Sequence, residues 1–336
     1  MKILSLFDGI SCARVALERA GIPVEQYYAS EIDKYAIQIS QKNWPEIVQI
    51  GDVKDVTYTT DDWMRELVVL KDNGIQRYPN VRFDLLIGGS PCQDLSIAKA
   101  NRKGLDGERS GLFWEYVRIL KEAQPKFFIL ENVASMPKDA RDTITEALGV
   151  EPVMINASLV SAQNRKRLFW VGKWTETETT FFADVPLKIV GYEKVEIPQP
   201  EDKGILLKDI LLDGETEDLK SLCITATYHK KNERDFIKKG SGQMIKIGAI
   251  TKGQSGNVYS IEGKSSPLCA NGGGNGAKTG LYDVKDTLRK LHPIECERLQ
   301  GLPDGYTEGV SNTQRYKALG NGFNVDVICH ILKYIG

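Results

Sequence analysis

Five times in the first 174 residues a short apolar run gives way to a helix-patterned stretch, and no other feature narrows the fold as far. Ile3–Phe7, Tyr27–Ile32, Ile47–Val53, the run around Leu85-Leu86-Ile87 and Phe127–Leu130 read as strands. Helices are expected at Ser11–Ala20, ended by Gly21, and at Lys34–Asn43, stopped by Trp44-Pro45. Asp61–Leu70, with acidic residues in its first turn, Leu112–Ala123, ended near Pro125, and Arg141–Leu148 complete the helical set. Two more strand-like runs, Pro152–Leu159 and Arg167–Val171, close the series. Such alternation predicts an α/β fold with a doubly wound, mostly parallel sheet.

The run Leu85-Leu86-Ile87 is apolar at successive positions, as suits a strand covered on both faces. It halts at Gly88-Gly89-Ser90-Pro91 and presents Cys92 just beyond its end. Ligands in open α/β sheets gather at the carboxyl ends of strands. A thiol there becomes a nucleophile if a neighbour lowers its pKa, although a single cysteine so placed is more often a small packed residue. Other candidates share that edge. Phe7-Asp8-Gly9-Ile10 forms a turn into a helix N-terminus. Glu31 and Asp52 end the second and third strands, where carboxylates take ribose hydroxyls. Glu131-Asn132-Val133 ends the strand expected beside that of Cys92, and a carboxylate there could protonate or hydrogen-bond a ring nitrogen. Arg165 and Arg167 alternate before a strand and so can face one side.

After Trp174 the character changes. From Thr175 to Lys220 five Lys/Arg stand against twelve Asp/Glu, and Pro186, Pro198 and Pro200 suggest a connector. From Ser221 to Gly280 nine Lys/Arg face three Asp/Glu, a basic segment able to meet phosphates although the whole chain carries a net charge of only −1. This Gly-, Ser- and Lys-rich region reads as a smaller, loop-rich second domain. Its glycine run 271–276 is no phosphate loop, because Ala277 separates Gly276 from Lys278. Ordered patterning returns with helices at Pro293–Leu299 and Val325–Ile335. Six scattered cysteines without a C-x-x-C pair and three dispersed histidines suggest neither a disulfide framework nor a metal site, hence a reducing, cytoplasmic compartment. No apolar run approaches the ~18 residues of a membrane span, and the strand-like start leaves no room for a signal peptide.

Taken in order, these residues resemble the motifs of the DNA (cytosine-5) methyltransferase family. Phe7-Asp8-Gly9 resembles its first cofactor motif and Gly88-Gly89-Ser90-Pro91-Cys92-Gln93 its catalytic Pro-Cys loop. Glu131-Asn132-Val133 resembles its Glu-Asn-Val motif, and Gln163, Arg165 and Arg167 its Gln-x-Arg-x-Arg. Arg298-Leu299-Gln300-Gly301-Leu302-Pro303 and Gly320-Asn321-Gly322-Phe323 resemble the last two motifs. Ser90 before Pro91, with Asp94-Leu95-Ser96, is similar to the animal de novo branch; Ser11 stands where the family usually has a second glycine.

The resemblance implies a class I, Rossmann-like AdoMet-dependent methyltransferase. Residues 1–174 plus 287–336 would form a discontinuous catalytic domain and 175–286 a target-recognition domain. Cys92 would attack C6 of a flipped-out cytosine, Glu131 would engage N3 and the exocyclic amine, Arg165 would hold the base and Arg167 would support the loop. S-adenosyl-L-methionine would be bound by Phe7, Asp8, Gly9, Ile10, Glu31, Ile32, Asp52, Val53, Pro91, Leu112 and Asn321, leaving S-adenosyl-L-homocysteine. Double-stranded DNA would be met by Gln163, Lys230, Lys231, Arg234, Lys238 and Lys239. The setting expected is a prokaryotic or phage-infected cell, with a cognate restriction endonuclease as candidate partner. Two readings compete: a transfer-RNA cytosine-5 methyltransferase, whose usual Pro-Pro-Cys and Cys-Phe-Thr signatures are absent, and a catalytically silent DNA-binding scaffold.

Overall fold

The computed structural model describes residues 1–60, 65–90, 111–180, 186–212, 246–249, 257–259, 262–264, 281–284, 287–289 and 291–335. In chain order the elements of the first half are β1 (Lys2–Leu6), α1 (Cys12–Arg19), β2 (Gln26–Ser30), α2 (Lys34–Asn43), β3 (Val48–Gln49), β4 (Val56–Thr60), β5 (Arg65–Lys71), β6 (Gly74–Pro79) and β7 (Leu85–Gly88). Then follow α3 (Leu112–Ala123), β8 (Phe127–Val133), α4 (Lys138–Leu148), β9 (Val153–Asn156), β10 (Lys166–Thr180) and β11 (Pro186–Lys194). Four short strands, β12 (Lys246–Ala249), β13 (Asn257–Tyr259), β14 (Leu281–Val284) and β15 (Thr287–Arg289), form a separate sheet. Helices α5 (Pro293–Leu299), α6 (Asn312–Asn321) and α7 (Val325–Leu332) end the described chain.

The large sheet runs β11-β10-β8-β7-β1-β2-β3, with β9 paired to β10. Its five strands from β3 to β8 are parallel, and β9, β10 and β11 add an antiparallel flank. The apolar run of β7 divides between two cores. Leu85 and Ile87 join Ile3, Phe127 and Ile129 beneath α1, α2, α5, α6 and α7. Leu86 joins Leu4, Leu6, Phe128 and Leu130 beneath α3 and α4. A strand buried on both faces has no polar side to show, which is why its residues do not alternate.

Connections through α1 and α2 carry the sheet outward to β3, and the chain then returns to place β7 on the other side of β1. The crevice beyond β1 and β7 is therefore the topological switch point, where such sheets bind ligands. Register sharpens this. Leu6 lies beside Ser30 and Gly88, and Gly88 beside Leu130. The next residues on those four paths, Phe7, Glu31, Gly89 and Glu131, emerge together along one edge.

Three expectations fail. Residues 65–71 form β5, not part of a helix over Asp61–Leu70; with β4 and β6 it makes a three-stranded antiparallel sheet whose Leu67 and Val69 are buried against the core. Asp72-Asn73 supplies the tight turn between the paired Lys71 and Gly74, and Gly74, at φ 123°, takes a conformation that favours glycine. The stretch after Trp174 is no connector: β10 continues to Thr180 and pairs antiparallel with β11 from Gly172–Lys194 to Thr180–Pro186. The strand expected over Ile47–Val53 shortens to Val48–Gln49 before a 3-10 turn at Val53–Asp55. Helix α6 was not anticipated, and no helix among the described residues is long and apolar enough to cross a membrane.

Candidate active site

At the switch point lies a cavity of about 330 Å³. Its floor is the row of strand ends, Phe7, Ser30, Glu31, Gly89, Ser90 and Glu131. One wall comes from the start of α2 and the turn after β3, through Ile32, Asp33, Tyr35, Asp52, Val53 and Lys54. The other comes from Arg165, Arg167 and α6, through Gln314, Lys317, Ala318, Gly320 and Asn321, with Leu112 of α3 completing it.

Glu31 is the most tightly engaged carboxylate here. One oxygen accepts the Gly9 N–H at 2.8 Å, and the other accepts those of Ile32 and Asp33, both at 2.8 Å. Glu31 thus ties the turn after β1 to the start of α2. Burial raises its pKa, against the lowering effect of those three N–H groups. Ile32 beside it is 70% exposed, an apolar wall that protein atoms leave uncovered.

Asp8 and Ile10 do not line the cavity. Asp8 is 5% exposed beneath the turn, accepting from Tyr27 Oη at 2.6 Å and from Ser11 Oγ, which in turn meets Ser40 Oγ at 2.7 Å. Burial raises its pKa, and the hydroxyl donors oppose that rise. Ile10 is fully buried in the core, its carbonyl accepting from Tyr306 Oη at 2.8 Å. These two residues fix the shape of the turn while Phe7 and Gly9 face the cavity. Ser11, at φ 58°, takes up a left-handed backbone of the kind that favours glycine, with its hydroxyl held by Asp8.

At the far end the Arg167 Nε lies 2.8 Å from Glu131 Oε1. Gly89 passes so close that a Cβ there would stand 2.9 Å from the Phe323 ring and 3.2 Å from Glu131 Oε2. Asn132, fully buried, donates to Ser90 Oγ at 3.1 Å and so anchors the residue two before Cys92. Arg165 is 3% exposed and donates to the carbonyls of Gly320 and Gly322, at 3.0 Å for the latter. It joins the approach to β10 to the junction of α6 and α7.

Gln163 is placed elsewhere than expected. It is fully buried, and its amide donates to Leu299 O and Gln300 Oε1, so it faces the C-terminal helices and not a nucleic acid. Pro91, Cys92, Lys230, Lys231, Arg234, Lys238 and Lys239 lie outside the described residues. Of the remaining candidates, Phe7, Gly9, Glu31, Ile32, Asp52, Val53, Leu112, Glu131, Arg165, Arg167 and Asn321 are brought to one cavity. Sequence reading missed Asp33 and Lys317, which meet across it. The signal present was Asp33 directly before a helix pattern, an N-cap position that conceals any second role.

Comparison with known proteins accords with this geometry. A family model described as C-5 cytosine-specific DNA methylase matches residues 1–336. The type II methyltransferase M.HhaI of Haemophilus parahaemolyticus is 30% identical over 352 residues, covering 100% of this chain and 94% of that protein. M.Bsp6I of Bacillus sp. (strain RFL6), also named a type II methyltransferase, is 28% identical over 351 residues, covering 100% and 98%. Among solved structures, the Entamoeba histolytica methyltransferase EhMeth aligns with a TM-score of 0.63 at 17% identity, covering 100% and 97% of the two chains. The S. pombe Dnmt2 methyltransferase aligns with a TM-score of 0.59 at 15% identity, covering 100% and 98%.

Proposed function

The chain belongs to the C-5 cytosine-specific DNA methylase family, and from that premise we propose that it methylates C5 of a cytosine flipped out of a specific duplex DNA sequence, through a covalent bond between Cys92 and C6. The family uses S-adenosyl-L-methionine, and the residues present fit that cofactor. Glu31 keeps acceptor capacity at the rim for ribose hydroxyls, and exposed Ile32 with Val53 offers apolar surface to a flat ring. Gly9 leaves the turn open, with nothing within 4 Å of an added Cβ. The bound cofactor supplies a methyl group on a positively charged sulfur.

The single observation that carries the reading is the edge row. Phe7 and Glu31, assigned to cofactor, and Gly89 and Glu131, assigned to base, leave the sheet side by side. In this reading the Cys92 thiolate adds to C6, which makes C5 nucleophilic enough to take the methyl group. Glu131, held by Arg167, engages N3 and the exocyclic amine and stabilises the charge of the adduct. Loss of the C5 proton to solvent then re-forms the double bond and expels Cys92 as thiolate. Arg165 braces the base side of the cavity on the Gly320 and Gly322 carbonyls. Asn132 holds Ser90 and so the approach to Cys92. Extruding the base costs about a few kcal/mol, offset by pocket contacts and by phosphate contacts from the target-recognition domain. We place that domain within 175–286, entered beyond Leu211, since β11 belongs to the large sheet and Ile197, Leu207, Ile210 and Leu211 are buried in the same core as Ile3. Lys230, Lys231, Arg234, Lys238 and Lys239 are its candidate DNA contacts, and a cognate restriction endonuclease is the partner this reading assigns.

Bisulfite sequencing of plasmid from cells expressing the protein tests it. Cytosines protected in one short motif, and left unprotected with Cys92→Ala, are expected. Full conversion of plasmid cytosines, with protection found instead in transfer RNA, would overturn the DNA assignment.

A further inference from the structure

Helices α2 and α6 form two lips of the cavity. Away from it they are braced by the segment between α5 and α6. Gln38 Nε2 donates to Gly309 O at 3.1 Å, Lys42 Nζ to Glu308 O at 3.1 Å and Asn43 Nδ2 to Tyr306 O at 2.9 Å. That segment is itself fixed by buried Glu297, which accepts from Gly305 N, Thr307 N and Arg315 Nη2 at 2.7–2.9 Å. The far end of the wedge is thus a firm hinge.

The cavity end is joined differently. One oxygen of Asp33 caps α2, accepting from Tyr35 N at 2.9 Å and from Ala36 N. The other meets Lys317 Nζ on α6, across the cavity that both residues line. The two side chains keep 27% and 42% of their exposure. Solvent and ions therefore reach the pair, and a contact of this kind is worth a factor of about two to five in an equilibrium. When Lys317 leaves, Asp33 keeps its cap, so separation costs the ion pair and not the helix. Against partial burial, the hydrogen bonds from Lys317 and from the Tyr35 and Ala36 N–H groups hold the Asp33 carboxyl below its usual range.

We propose that Asp33 and Lys317 are positioning residues that act as a clasp between the lips of the cofactor cavity, setting how fast S-adenosyl-L-methionine enters and S-adenosyl-L-homocysteine leaves. The inference rests on the assignment of this cavity to the cofactor.

The test uses the full chain with Asp33→Asn, Lys317→Met and the double variant. Asparagine still caps α2, and methionine keeps the length and packing of the lysine stem. Release of S-adenosyl-L-homocysteine is followed by stopped-flow competition, and KM and kcat are measured on DNA. Each single variant is expected to release product about threefold faster at low salt. Entry of the cofactor should accelerate by a similar factor, so KM for the cofactor should change by less than either rate. The double variant should be no worse than either single one. Between about 0.1 M and about 1 M salt, where the Debye length falls from about 10 Å to about 3 Å, wild-type release should accelerate and the variants should not. A purely structural weakening would leave the salt dependence in place and make the effects additive; that result overturns the clasp. Unchanged release from variants that bind the cofactor overturns it as well. Absence of cofactor binding by the wild-type chain would instead overturn the cavity assignment, and the clasp with it.

Discussion

Glu31 serves a structural and a binding purpose with one carboxylate, and its protonation state connects the two. Ionised, it accepts three backbone N–H groups and keeps an acceptor turned to the cavity. Burial raises its pKa above the ordinary range, near about 4.3 for glutamate. The sign follows from linkage. A raised carboxyl costs stability while ionised, and that cost is relieved as pH falls through the folded value. Acidification therefore does not destabilise the empty protein through this group. It does remove an ionised acceptor from the ribose site, so cofactor affinity should begin to decline at a higher pH than an ordinary glutamate would give. Calorimetric titration with S-adenosyl-L-methionine between about pH 5 and pH 7.5 checks this. Glu31→Gln should bind more weakly at neutral pH and with a flatter profile. An equally steep profile in the variant would assign the dependence to another group.

Between elements, the tolerance that bears on the site is where β7 ends. Gly89 has the Phe323 ring on one side and the Glu131 carboxylate on the other, and Phe323 is itself 7% exposed. Gly89→Ala should cost about 1–3 kcal/mol by overpacking, and it should lower methyl transfer further than stability alone explains, because Glu131 must shift. Gly191→Ala in β11, with nothing within 4 Å of the added Cβ, is the control, expected within about 0.5 kcal/mol of wild type. Urea unfolding and initial rates on both variants decide it; a fully active Gly89→Ala protein would show that Glu131 does not need its observed place. The elements themselves were legible in unequal measure. Helices α2 and α3 stand at Lys34–Asn43 and Leu112–Ala123, as patterning and stop signals indicated. Asp61-Asp62 suggested a helix start and outweighed the Asp72-Asn73 turn before Gly74 that decides the local fold. The Thr-Glu alternation from Thr175 continued a strand, yet its acidity suggested a connector. At the site, residue types at strand ends were readable because each motif is local. The burial of Asp8, Ile10 and Gln163 was not, because it depends on Tyr27, Tyr306 and Leu299, distant in the sequence.

At the scale of the molecule, the chain closes on itself. Val325, Ile328 and Ile331 of α7 are fully buried in the same core as Ile3 of β1 and Ala16 and Leu17 of α1, while α6 supplies a wall of the cavity whose floor comes from β1 and β2. Two parts separated by nearly 300 residues therefore cannot unfold apart without exposing apolar surface and dismantling the binding site. Cofactor binding and global stability should then be coupled as in a single cooperative unit. Ile328→Ala, at a fully buried residue that does not line the cavity, should cost about 2–5 kcal/mol. Cofactor at about a hundredfold its dissociation constant should return about 2.7 kcal/mol of that loss, moving one unfolding transition toward higher urea without dividing it. Tryptophan fluorescence and far-ultraviolet circular dichroism, followed through the same titration, provide the check. Two separate transitions, the earlier one indifferent to the cofactor, would mean that α7 leaves the core while the site survives, and that the C-terminal segment is an appendage and not half of the catalytic domain.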